Sequence, residues 1–101
     1  MSQQREAELD EFNRAWEIDK IETTNLVLSC PHLDWIEESK LITREIQESV
    51  LEITPILLGC PARIRRERGI QIRRHYNKLI LMELRRQLIM ELIGEDPVDT
   101  F

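Results

Sequence analysis

The stretch "IQIRRHYNKLILMELRRQLIMELIG", Ile70 to Gly94, decides the fold of this 101-residue chain. Its apolar residues recur with the period of a helix, Gly94 is a natural stop, and Pro97 stands just beyond. The pattern predicts a helix from Ile70 or Ile72 to Ile93. Two stripes run along it. Leu81, Leu84, Leu88 and Leu92 form one, and Ile72, Leu79, Met82, Ile89 and Ile93 form another, nearly opposite. A helix that is apolar on more than one side is either wrapped by its own bundle or shared with a partner. In so small a protein, few helices are available to wrap it. The expectation is therefore a homodimer, or a subunit docked on another protein. Ile72, Leu79 and Met82 would form one contact and Leu81, Leu84, Leu88 and Leu92 the other.

Upstream, Leu9, Phe12 and Trp16 share one helical face, with Glu6, Glu8, Asp10 and Glu11 in the early turns where the helix dipole favours acids. Ile18 and Ile21 then fall out of phase, and Thr23-Thr24-Asn25 has turn and capping chemistry. A first helix is predicted over about 3–20, with Leu26-Val27-Leu28 unassigned. A second is predicted from Pro31, with Asp34 as cap or first-turn residue. Trp35, Ser39, Ile42, Ile46, Ser49, Val50 and Ile53 form its apolar face. Ser39 and Ser49 leave room for a close neighbour. At Pro55 this helix either stops or bends and gains a turn through Leu58 before Gly59. The segment 63–72 reads as helix, or as a short hairpin turning at Arg68-Gly69. The fold class is all-α: a small bundle of three main helices, with a fourth, short one around Pro61 to Arg68. The helical domain covers 1–94, and 95–101 is an acidic tail.

The charge is divided. Residues 1–60 hold five basic and thirteen acidic groups, whereas residues 61–90 hold nine basic and two acidic ones. "RIRRERGIQIRR", Arg63 to Arg74, has six arginines in twelve residues, and arginine outnumbers lysine eleven to three in the chain. Arginine suits bidentate contact with phosphate or carboxylate. On a helix Arg74, Lys78 and Arg85 align over roughly 16 Å, and Arg63 extends the line if the helix runs through Gly69. One reading pairs these cations with the acidic face of the second helix, in the same chain or another. The other makes Arg63, Arg65, Arg66, Arg73, Arg74, Lys78 and Arg85 a phosphate-binding surface, suited to double-stranded RNA by shape more than to sequence-specific DNA.

Little points to catalysis. The chain holds no Gly-rich phosphate loop, Walker motif or H-E-x-x-H. Cys30-Pro31 and Cys60-Pro61 repeat a Leu-x-Cys-Pro pattern. A metal site of Cys30, His32, Cys60 and His75 lacks the close ligand pairs of zinc centres, and a Cys-Pro dipeptide alone is weak grounds for haem. A Cys30–Cys60 disulfide needs the two helix starts to meet. The simpler reading makes each pair a small buried residue followed by a helix-opening proline. Trp16 and Trp35 sit at core spacing. The expectation is a non-catalytic, intracellular helical interaction module with no cofactor, metal, small-molecule substrate or membrane span. The alternative is a helical nucleic-acid binder.

Overall fold

In the computed structural model, residues 3–94 are described. They form four α-helices: α1 (Gln3–Ser29), α2 (Trp35–Leu58), α3 (Ala62–Glu67) and α4 (Gly69–Leu92). No strand occurs among the described residues, so the all-α class holds and 63–72 is helical on both sides of a break. The break lies at Arg68 (φ −100°, ψ 17°), where α3 ends and α4 begins. α4 ends at Leu92, and Gly94 takes the left-handed conformation (φ 82°) that a residue with a Cβ adopts only under strain.

α4 is the spine. It packs against α1 along one side and α2 along another, while α1 and α2 barely touch. The molecule measures 49 × 30 × 19 Å, so its thinnest dimension leaves room for little more than two helix layers. The core sits where the three long helices converge, at Val27, Trp35, Ile42 and Ile89, flanked by Cys30, Ile46, Met82 and Ile93. Trp35 anchors the turn between α1 and α2, because its indole Nε1–H donates to the Cys30 carbonyl at 2.8 Å. Asp34 caps α2 by accepting from the Glu37 N–H at 3.0 Å.

Two boundaries differ from the sequence expectation, and a third takes one of its two alternatives, each for a local reason. α1 continues through 23–28 to Ser29. Its inward face keeps its phase after Trp16, but through the polar residues Asp19 and Thr23 before Val27, so the packed side is hidden from an apolar count. Thr24 does not break the helix, since its hydroxyl donates back to the Lys20 carbonyl at 2.7 Å. Pro31 does not open α2. It lies in the turn, and the helix begins four residues later at Trp35, whereas Pro61 does precede its helix directly. α2 passes through Pro55 to Leu58, and the Gly59 N–H bonds the Pro55 carbonyl at 3.1 Å. Pro55, Leu51 and Leu58 are all exposed, so the lost proline N–H falls where water can solvate the freed carbonyl.

The predicted apolar face of α2 is the packed one. Trp35, Ser39 and Ile42 are buried and Ile46, Ser49 and Ile53 half-buried, with Val50 at the margin of exposure. Ser39 is 0% exposed, a small side chain within the packed face of α2.

Candidate functional site

Two sets of residues could carry function: the arginines of α3 and α4, and the apolar side chains the bundle leaves uncovered.

The α4 arginines turn toward α1. Arg73 grips Glu8 in a two-point contact, with Nε 2.8 Å from Oε2 and Nη2 3.0 Å from Oε1. One Nη2 of Arg85 donates to both oxygens of Asp19, at 3.0 and 2.8 Å. Arg74 reaches Glu11 at 3.3 Å. Glu8, Glu11 and Asp19 advance along α1 as Arg73, Arg74 and Arg85 advance along α4, so the two helices run parallel and are laced along one seam. The hydrogen bond from Arg73 holds the Glu8 carboxyl below its usual range against the opposing effect of desolvation, and Glu8 raises Arg73 in turn. The internal-pairing reading of the basic segment is thus realised, with one correction: the acids come from α1, not from α2.

Arg86 is the most deeply placed cation, at 1% exposure. Its Nε donates to Glu83, one turn earlier, at 2.9 Å. That bond lowers the Glu83 pKa, again in spite of desolvation. A guanidinium taken out of water needs such a counter-charge, because removing an ion from water without one is costly.

The rest of the predicted basic surface is dispersed. Arg63 lies on α3, pairs with Glu67 at 3.6 Å, and does not continue the α4 line, because the helix is interrupted at Arg68. Arg65, Arg66 and Lys78 are exposed and make no ion pair among the described residues.

Members of both α4 stripes meet the bundle. Leu81 lines a groove with Phe12 and Ala15 of α1. Met82 packs on the core, Leu79 is buried, and Ile72, Leu84 and Leu88 are half-buried. Leu92 is exposed near the helix end. The larger uncovered apolar surface lies elsewhere. Ile18, Ile21 and Leu28 share the outer side of α1, and Leu51, Ile56 and Leu58 project from the last turns of α2. Leu51 and Leu58 are 74% and 78% exposed. Sequence reasoning passed over these residues, although a signal existed: Ile18 and Ile21 are out of phase with Leu9, Phe12 and Trp16, and Leu51 and Leu58 lie off the apolar face of α2.

Both cysteines are free thiols. They stand at opposite ends of α2, whose 24 residues span roughly 36 Å, so the two Leu-x-Cys-Pro copies do not form one site. No three His, Cys, Asp or Glu side chains converge as a metal cluster among the described residues. His75 makes an edge-on contact with Tyr76, ring centres 5.9 Å apart, and its buried Nε2 has no hydrogen-bond partner among the described residues. Trp16 carries the Lys20 ammonium over its ring at 5.7 Å. No helix among the described residues is long and apolar enough to cross a membrane.

Compared with known proteins, the chain matches no family model, no curated protein and no solved structure.

Proposed function

We propose that this protein is a non-catalytic helical interaction module that self-associates or docks on another protein through its uncovered apolar surface. One observation carries the reading. Among the described residues, fourteen large aliphatic side chains are exposed, against six hydrophobic residues buried in the core. Single exposed leucines are ordinary, but clustered ones mark contact surfaces. Here Ile18, Ile21 and Leu28 recur at helical spacing on the outer side of α1, and Leu51 and Leu58, seven residues apart, do so at the end of α2. Ile80 and Leu92 add a smaller contribution from α4.

Light scattering after size exclusion at micromolar concentration tests self-association. An assembly larger than one chain is expected. Ile18→Lys with Ile21→Lys, or Leu51→Glu with Leu58→Glu, should dissociate it while helicity is kept, since none of these side chains is buried in the chain itself. A monomer that binds no hydrophobic dye and captures no protein refutes the proposal.

The nucleic-acid reading rests on Arg65, Arg66 and Lys78, which with Arg68 are the exposed cations of the basic segment that make no ion pair among the described residues. Titration with double-stranded RNA across a salt series decides it, because phosphate contacts weaken steeply with salt. The α1 carboxylates compete for Arg73, Arg74 and Arg85, which favours the interaction-module reading.

A further inference from the structure

α4 makes no ion pair with the glutamates of α2 among the described residues. Glu38, Glu45, Glu48 and Glu52 are exposed, and none makes an ion pair among the described residues. Glu38, Glu45 and Glu52 recur every seven residues, which places them on one flank of the helix. That flank is the lip of a groove. At one end, Leu26 of α1 and Leu41 of α2 face each other across a floor that includes Met82 and Ile89, in a cleft of about 250 Å³. Glu45 and Met82 carry it on into a second cleft of about 310 Å³, which Glu48 and Glu52 line with Leu79 and His75; Lys78 is the one cation on this lining, against three glutamates. In the first cleft the core residues Trp35 and Ile42 add apolar surface beside Met82 and Ile89, and the one cation on its lining, Arg85, is neutralised by Asp19 of α1.

We propose that this groove receives a basic amphipathic helix from a partner protein, its apolar face on the Leu26–Leu41–Met82 floor and its lysines or arginines along the glutamate lip. The inference rests on the interaction-module reading and names the partner's chemistry. An apolar channel with a charged rim is the general form of a helix-in-groove site. The lip from Glu38 to Glu52 rises roughly 21 Å, the length of about fourteen helical residues. Among the described residues, no segment is such an occupant. α3 is basic but only six residues long, Arg73, Arg74 and Arg85 of α4 are held by α1, and the residues after Gly94 bring Glu95, Asp96 and Asp99, which share the sign of the lip.

The probe is a labelled synthetic amphipathic helix of leucine and lysine, set against a counterpart of leucine and glutamate, with binding read by fluorescence anisotropy. The lysine peptide should bind saturably at micromolar concentration and the glutamate peptide should not. Reversing the lip with Glu38→Lys, Glu45→Lys and Glu52→Lys should weaken binding about tenfold. Glu6→Lys, Glu17→Lys and Glu91→Lys make the same charge change away from the groove and should alter binding by less than about twofold. No saturable binding, or equal weakening by both triple variants, overturns the proposal. Light scattering on the lip variant separates it from the parent reading. If self-association is lost with the lip, the occupant is a second copy and the partner helix is refuted. If self-association persists while the peptide fails to bind, the interaction module stands and the groove assignment falls.

Discussion

Ile89→Ala is the sharpest probe of the architecture. Ile89 is 2% exposed and sits where α1, α2 and α4 converge, among Val27, Trp35 and Ile42. The change removes three carbons. At about 0.8 kcal/mol per buried CH₂ this forfeits about 2.5 kcal/mol of transfer free energy. A residual void of about 40 Å³ adds about 1 kcal/mol, because neighbours on three separate helices cannot all close in together. The expected loss is about 3.5 kcal/mol, a large fraction of the marginal stability of a domain this size. Urea unfolding followed by circular dichroism at 222 nm reads it. With a slope of about 1.5 kcal/mol/M, the midpoint should fall by about 2 M. Leu51→Ala removes the same number of carbons from a side chain that is 74% exposed, and should cost less than about 0.5 kcal/mol in the monomer. Two results would refute the reasoning. One is a loss below about 1 kcal/mol for Ile89→Ala. The other is an equal loss for Leu51→Ala at a concentration where light scattering reports single chains.

Other changes test particular features. Ser39→Ala should raise stability by about 1 kcal/mol, because the Ser39 hydroxyl is fully buried with no hydrogen-bond partner among the described residues; a lower urea midpoint would contradict this. Pro55→Ala should stabilise α2 by about 1–3 kcal/mol, since alanine restores an N–H for the Leu51 carbonyl inside a continuous helix; thermal unfolding measures the gain. Glu8 and Glu83 have folded pKa values below the ordinary carboxylate value of about 4.3, so each contributes stability that is full above that value and is lost as pH falls through the depressed folded pKa. The urea midpoint should therefore drop through the acidic range below about pH 4.3, and Glu8→Gln with Glu83→Gln should flatten that drop. Equal slopes for both proteins would show that these pairs do not contribute.

The parts legible in the sequence are those set by local periodicity. The face of α2, the end of α4 at Gly94 and the break near Gly69 follow from side-chain spacing and from glycine and proline chemistry, which act within a few residues. α1 was harder to read because its inward face includes Asp19 and Thr23. Asp19 counts as polar until Arg85 is beside it, and the two are sixty-six residues apart. The apolar surplus of α4 was visible, but which residues stay uncovered was not, since that depends on α1 and α2 lying on different sides of α4.

The sequence by itself determined that the chain is helical, that α4 is apolar on two sides, and that an acidic part is followed by a basic one. Helix formation and charge are properties of short stretches, so they can be counted along the chain. Only the tertiary structure decided which acids meet the arginines. Charge totals are the same whether α1 or α2 lies along the basic side of α4, but pairing acts over a few ångströms. α1 supplies Glu8, Glu11 and Asp19 at that range, which leaves the α2 glutamates facing outward along an open groove.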